Sequence, residues 1–391
     1  MAESASSRLT RALRHGIGAD TQHRAVVPAW YASTNYTFPT IAEEPDYAYS
    51  RSGNPTRDMF GEAVAILEAG AGTVVTSSGM SAATLALLAL VPAGGRVVAA
   101  HDLYGGTWRL MNRFAEDGRL QVDWVDLTDL EAARTALGAP ADLVWIETPS
   151  NPLLRITDIS AVAALGHAAG ALVLADNTFC SPLLQQPLTL GADVVLHSTT
   201  KFINGHSDVV GGALVSATAE QHAVLDWWAN TTGVSGSSFD AWLQLRGFRT
   251  LDARLRVHQQ NARAIVELLV NHPAVAKVYY PGLPDHPGHE LATRQQSGYG
   301  SLVSVDLAGG RAAADALVGG LRHFCLAESL GGVESLVVHP AAMTHAAMSE
   351  DALALAGISE GLLRLSVGIE SADDLVADLD EGLARAVAAS A

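Results

Sequence analysis

Short apolar runs recur through the first two thirds of the chain, and each ends in polar or hydroxyl-bearing residues. Thr73–Thr76, Arg96–His101, Leu143–Glu147, Ala171–Asp176 and Asp193–His197 read as strands. Between them Gly61–Leu67, Leu130–Leu137 and Ile159–Ala169 carry helical patterning. Continuous apolar strands alternating with helices predict an α/β fold with a large, mostly parallel sheet covered on both faces. The most apolar stretch, AATLALLALV at Ala82–Val91, stops at Pro92 and is too short to span a bilayer, so Ser81–Val91 reads as a buried helix. Residues 1–55 show little periodicity and read as an extended arm rich in Tyr, Thr, Asn and Pro. A long helical stretch, Phe239–Val270, leads into a smaller C-terminal α/β domain with strands at Leu302–Leu307 and Leu363–Val367. The predicted organisation is therefore an arm (1–55), a sheet domain (56–250) and a C-terminal domain (251–391).

Composition fits that picture, with 49% hydrophobic residues, 17% charged residues and 36 glycines in 391 residues. The charge narrows the partners. With 41 acidic against 24 basic residues the net charge is −17, a field that repels a phosphate backbone and argues against nucleic acid. A local pocket can still oppose that sign for a small anion. Cys180 and Cys325 form no CxxC or His-rich cluster and read as buried small hydrophobes. MAESASSRLTRALRHGIGAD lacks the apolar core of a secretory signal, so a cytoplasmic protein is expected, with no membrane partner.

In parallel sheets, ligands bind beyond the carboxyl ends of the strands. Those ends carry Ser77-Ser78-Gly79, His101-Asp102, Glu147-Thr148, Asp176-Asn177 and Ser198-Thr199-Thr200-Lys201. Lys201 stands out, because it follows the apolar run Val194-Val195-Leu196 and has small hydroxyls as its neighbours. Desolvation at such a place favours the neutral amine, which is the form that makes Schiff bases and so points to pyridoxal phosphate (PLP). That cofactor needs an acid for its pyridine nitrogen, a cradle for its phosphate and a flat partner for its ring. Asp176 suits the first need, although an Asp capping the next turn would look the same. Ser77-Ser78-Gly79-Met80 opening a helix, with Ser198 and Thr200, suits the second, although any one serine there could be a plain N-cap. Tyr104, in HDLYGGTWRL with Gly105 and Gly106 beside it, suits the third, although loop tyrosines more often only pack.

Rival chemistries fit less well. Gly79-Met80-Ser81-Ala82-Ala83 lacks the last glycine of the GxSxG elbow of serine hydrolases. Gly70-Ala71-Gly72 follows a helix and does not complete a dinucleotide fingerprint. The fourteen histidines show no HExxH or comparable ligand spacing, so no metal is expected. A non-catalytic scaffold would have no use for a lone lysine at this strand end.

Several ordered stretches resemble the PLP-dependent enzymes of cysteine and methionine metabolism, the trans-sulfuration enzymes. These are YSRSGNPTRD (49–58), SSGMSA (77–82), HDLYGGTWRL (101–110), ETPSNPLLRITDI (147–159), ADNTFCSPLLQQPL (175–188), HSTTKFINGHSDVVGG (197–212), LAESLGGVESL (326–336) and LLRLSVGIE (362–370). The resemblance spans nearly the whole chain. It implies an aminotransferase-like fold type I and a homotetramer built from dimers with shared sites. Lys201 would carry the cofactor and act as general base, Asp176 would meet the pyridine nitrogen, and Tyr104 would stack on the ring. Gly79, Met80, Ser198 and Thr200 would hold the phosphate, with Tyr49 and Arg51 reaching it from the neighbouring subunit's arm. Asn151 would lie near the cofactor's phenolic oxygen, and Ser329 and Arg364 would hold a substrate α-carboxylate.

The branch of the family is also partly legible. Gly106 stands where methionine γ-lyases carry a cysteine. DWWANTTGVSGSSFDAWLQLRG (226–247), RQQSGYG (294–300) and AAMTHAAMSEDALALAGISEGLLRLSVGIE (341–370) look most like the bacterial synthase branch, which joins cysteine to an activated homoserine. Arg109 would then take the far carboxylate of O-succinyl-L-homoserine, and Glu328 the amino group of cysteine. Ser52 and Ala48, where some synthases have an arginine and an acid, are shared with γ-lyases and β-lyases. Lyase chemistry, and acetyl or phospho activation of the homoserine, stay open at this point.

Overall fold

The computed structural model describes residues 5–346, 353 and 356–390. They form two compact units. Unit 1 contains the chain through His101, Gly106–Ile146 and Asp158–Thr250; unit 2 contains Asp102–Gly105, Glu147–Thr157 and the chain from Leu251 onward.

Unit 1 is built on strands β1 (Gly72–Thr76), β2 (Gly95–Ala100), β3 (Leu120–Val125), β4 (Leu143–Glu147), β5 (Leu172–Asp176), β6 (Val194–His197) and β7 (Gly212–Ser216). They form one sheet in the order β1-β7-β6-β5-β4-β2-β3. The pairs β5–β6, β4–β2 and β2–β3 are parallel, while β7 runs antiparallel to both β1 and β6. Every residue of β4, β6 and β7 is buried. Burying a Val or Leu is worth about 1.5–3 kcal/mol, which is what holds these unalternating strands inside. Helices at Pro55–Glu68, Gly79–Leu90 and Ile159–Ala168 pack around the sheet. The first of them starts earlier than its apolar pattern does. Asn54, buried, accepts from the Thr56 and Arg57 N–H groups and Pro55 stands at the first helical position, two features that start a helix whatever follows.

The N-terminal arm is not extended throughout, because Ala5–Arg14 is helical. Its Ala12 is buried, and Arg8 binds Gln186 Oε1 at 2.9 Å, so long-range packing supplies what local periodicity lacks. The helix expected over Phe239–Val270 is also two helices, Ser238–Phe248 and Leu251–Leu269. The first closes when Thr250 folds back on Gly247 O through both its N–H and its hydroxyl.

Unit 2 carries β8 (Val275–Tyr279), β9 (Leu302–Leu307), β10 (Cys325–Leu326), β11 (Leu336–Val338) and β12 (Leu362–Ser366) in the order β10-β11-β12-β9-β8. Only β10–β11 is parallel. Helices Leu251–Leu269, Gly310–Val318 and Ala372–Ser390 supply Ile265, Leu269, Leu317, Leu379 and Leu383 to its core. Cys180 is buried as expected, but Cys325 is exposed, because β10 is a two-residue edge strand with no cover. Among the described residues no helix is long and apolar enough to cross a membrane, and no cluster of His, Cys, Asp and Glu could hold a metal.

Candidate active site

In unit 1 the two strands that end in Asp176 and His197 lie side by side, with Asp176 opposite Leu196. The chain leaves β6 in a tight turn. Ser198 N–H donates to Thr178 Oγ1 at 2.8 Å, Lys201 N–H to Ser198 O at 3.2 Å and Gly205 N–H to Lys201 O at 2.8 Å. Lys201 is half-buried in that turn, followed by the buried Phe202 and Ile203. Asp176 Oδ1 accepts the Thr178 N–H at 2.9 Å. Burial pushes the Asp176 carboxyl above the ordinary range, against the pull of its Thr178 hydrogen bonds and the charge of His197. A desolvated carboxyl of this kind gains from a cationic partner such as a protonated pyridine nitrogen.

The helix Gly79–Leu90 opens beside that turn. Ser78 caps it by accepting the Ser81 N–H at 2.9 Å, so the Gly79 and Met80 N–H groups, at the first two positions, have no acceptor within the helix. A Cβ on Gly79 would stand 2.9 Å from Ser198 Cβ and 3.0 Å from Ser198 Oγ. The missing side chain is therefore what lets the helix N-terminus and the Ser198 hydroxyl approach one another. Two backbone donors, the positive end of a helix and a hydroxyl fit a phosphate monoester. Thr200 is placed less simply, since its hydroxyl donates to Gly211 O at 3.2 Å and accepts Gly211 N–H at 3.0 Å. Ser81 Oγ pairs with the Ser77 and Ser78 hydroxyls at 2.9 Å each, with no histidine among those partners, which removes the base that a serine-hydrolase elbow needs.

Among the described residues neither Tyr49 nor Arg51 is bonded to the residues of this cradle. Both are exposed; Arg51 lies over the Tyr49 ring at 5.7 Å and donates to Asn230 O at 2.6 Å. Arg109, on the helix Gly105–Glu116, is exposed as well.

Unit 2 collects a second group of predicted residues around Arg364. This arginine sits in β12 with 3% of its surface exposed. It donates to Asn151 Oδ1 at 2.7 Å and Ser329 O at 2.9 Å, neither of them charged, and its Nε is buried with no partner among the described residues. Burial pulls its guanidinium down to about 10, with Glu328 and Tyr104 opposing that shift. Ser329 itself is held at φ 90°, a region that costs a non-glycine residue about 1–3 kcal/mol and that clusters at ligand sites. Tyr104 has an exposed ring, and its N–H is anchored on Glu147 Oε2 at 2.8 Å. Glu328 is exposed nearby. A cationic, desolvated donor set with an unused N–H fits a carboxylate.

Sequence reasoning missed two groups. His345, in AAMTHAA, is buried against Arg364 and bonded to the Asn151 backbone, with Nδ1 2.9 Å from Thr344 Oγ1. Burial and then Arg364 pull its imidazole down to about 4, against the Asn151 hydrogen bond. Glu68, at the end of the helix Pro55–Glu68, lies behind the strand ends of unit 1, bonded to His197 and Asn177. Neither carries a local signal, because each acts on residues far away in the chain.

The donor sets of the two units therefore fit PLP and an amino-acid carboxylate, respectively. Comparison with known proteins agrees. The family model described as Cys/Met metabolism PLP-dependent enzyme matches residues 9–384. A crystal structure of cystathionine γ-synthase from Xanthomonas oryzae pv. oryzae, in complex with aminoacrylate and cysteine, is 57% identical; it covers 100% of both chains with a TM-score of 0.97. Cystathionine γ-synthase of Escherichia coli (strain K12) is 49% identical over 377 residues, 96% of this chain and 98% of that protein. Cystathionine γ-lyase of Bacillus subtilis (strain 168) is 44% identical over 374 residues, again 96% of this chain and 98% of that protein. The fold is that of the fold-type-I PLP enzymes, and the chain belongs to the family of PLP-dependent enzymes of cysteine and methionine metabolism.

Proposed function

We propose that the protein catalyses a γ-replacement in methionine biosynthesis, in which the thiol of L-cysteine replaces succinate at Cγ of O-succinyl-L-homoserine to give cystathionine. What carries this reading is the order of resemblance. The two synthases match the chain at 57% and 49%, the lyase at 44%. Lys201 would hold the cofactor's aldehyde carbon, Asp176 its pyridine nitrogen, and Gly79, Met80, Ser198 and Thr200 its phosphate. Tyr104 would lie against its ring, with Asn151 near its phenolic oxygen. Bound PLP supplies the electron sink that stabilises charge at Cα while a group leaves Cγ.

The remaining steps belong to the chain's own residues. Arg364 binds the substrate α-carboxylate through donors that lack a charged partner, and Ser329 helps to place it. Lys201 would act as general base, taking a proton from Cα and moving protons at Cα and Cβ. Arg109 would hold the far carboxylate of the succinyl group, and Glu328 the amino group of cysteine. In the proposed assembly, a cytoplasmic homotetramer, the arm (1–55) brings Tyr49 and Arg51 to a neighbouring subunit's phosphate. Residues 56–250 would form the cofactor domain and 251–391 the C-terminal domain.

A second reading, C–S lyase, has the lyase relative in its favour, together with Ser52 and Ala48. Steady-state kinetics separate the two. Turnover should be faster with O-succinylhomoserine plus cysteine than with cystathionine alone, and acetyl and phospho forms of homoserine should serve less well. Faster turnover of cystathionine alone would assign the lyase instead.

A further inference from the structure

Glu68 and His197 are a charged-type pair sealed in the core of unit 1, with 0% and 1% of their surfaces exposed. Glu68 Oε1 accepts from His197 Nε2 at 2.7 Å and from Asn177 Nδ2 at 2.9 Å. Asn177 is itself fully enclosed. Its amide donates to Gln185 O at 2.8 Å and its Oδ1 accepts from Gln185 Nε2 at 3.0 Å. Glu68 Oε2 and His197 Nδ1 are buried without hydrogen-bond partners among the described residues. Such a pair is a poor source of stability, because desolvating it costs about as much as the attraction returns, and apolar residues of similar volume are often as good or better. Its presence calls for another reason, and its location supplies one.

Asn177 directly follows Asp176 at the end of β5, and His197 ends β6 directly before Ser198 and the Lys201 turn. The Asn177 N–H also donates to Leu196 O at 2.9 Å, extending the pairing of β5 and β6 by one step past the sheet. One carboxylate, brought in by a third element, thus grips both strand ends at the point where their polar residues emerge. We propose that Glu68 is a positioning residue for the cofactor: acting through Asn177 and His197, it staples the ends of β5 and β6 and so sets the spacing between Asp176 and the Ser198–Lys201 turn. The inference rests on the reading that Asp176 and Lys201 serve PLP. The charge distribution agrees with it. The charge of His197 opposes the desolvation that raises Asp176, while burial and then Glu68 push the nearby Cys180 thiol up, which keeps it neutral.

The test uses the purified protein stripped of cofactor and titrated with PLP. Three readouts are followed: the dissociation constant, the pH at which the absorption of lysine-bound PLP changes, and the melting temperature of the apoprotein. Glu68→Gln keeps the volume but gives up the charge that both donors share. The expected result is PLP binding weakened tenfold or more and a displaced absorption titration, with the apoprotein still folding. His197→Gln should produce the same pair of effects, and the double variant less than their product, as residues of one network do. If Glu68→Gln does not fold, His197→Gln takes the same readouts. Folded variants that bind PLP and titrate as the wild type does, while melting lower, would reduce Glu68 to a structural residue and overturn the inference. Wild-type protein that takes up no PLP at Lys201 would be a different failure, since it removes the cofactor reading itself and this inference with it.

Discussion

An arginine as enclosed as Arg364 is a liability until something negative reaches it. Its two acceptors, Asn151 Oδ1 and Ser329 O, are neutral, its Nε has no partner among the described residues, and burial holds it down at about 10. Desolvation of a charge costs several kcal/mol, and a bidentate carboxylate is the group best shaped to return it. Function and stability should therefore separate at this residue. Arg364→Leu should leave the melting temperature of substrate-free protein equal or higher, and should lower kcat/KM for the amino-acid substrate by about 10³-fold, roughly 4 kcal/mol of transition-state binding. Arg364→Lys keeps the charge but loses the planar fork, and should cost less, about 10²-fold, with absorption of bound PLP unchanged. Calorimetry beside steady-state kinetics checks both. An Arg364→Leu protein that keeps its kcat/KM would show that the guanidinium does not bind substrate.

At the scale of elements, the contact between the helix Gly79–Leu90 and the turn after β6 depends on an absent side chain. A Cβ at Gly79 would stand 2.9 Å from Ser198 Cβ and 3.2 Å from Ser198 Cα, and backbone cannot swing aside as the tip of a flexible side chain can. Gly79→Ala should push the helix N-terminus off the Ser198 hydroxyl and weaken PLP binding at least tenfold. The far-UV spectrum should be retained, because alanine favours the helix itself. Titration of apoprotein with PLP decides it, and unchanged affinity would mean that the phosphate lies elsewhere. The elements around this contact were legible because β1, β2, β4, β5, β6, β9 and β12 are apolar runs with polar ends, and such runs signal themselves locally. β3 and β7 were not. LQVDWV alternates on a half-exposed edge of the sheet, and GALVS begins within a glycine pair that looks like turn material. The helix Ala5–Arg14 and the break before Leu251 depend on contacts made across the fold, which no window of neighbouring residues contains. Site residues divide the same way. Lys201 and Asp176 stand at ends of obvious strands, while Glu68 meets His197 across 129 positions of sequence.

For the molecule as a whole, the fourteen histidines carry no motif in the sequence, yet two buried ones in unit 2 make its stability depend on pH. His258 donates Nδ1–H to Val367 O at 2.7 Å and is pulled down to about 4 by burial and by Arg254, against Val367 and Glu334. His345 is pulled to about 4 by burial and by Arg364, against Asn151. Both are neutral in the fold but take up a proton near pH 6.5 once unfolded, so the unfolded state binds more protons as the pH falls. Their contribution is present in full above about pH 6.5 and is lost progressively down to about pH 4, by up to roughly 3 kcal/mol per histidine. Asp378 adds a later loss. Its burial raises the carboxyl, but the N–H groups of His323, Arg322 and Phe324 outweigh that and hold it below 3.8, so its contribution disappears only below the ordinary carboxylate range. Denaturant midpoints of apoprotein measured from pH 8 to pH 2 should therefore fall in two stages, the first centred between pH 6.5 and pH 4 and the second below the ordinary carboxylate range. His258→Asn, whose amide can still donate to Val367 O, should flatten the first stage and leave the second in place. Because an asparagine side chain cannot take up a proton, the variant's midpoints should draw closer to those of the wild type as the pH falls through the first stage. A first stage of unchanged slope in that variant would show that His258 is not what couples unit 2 to pH.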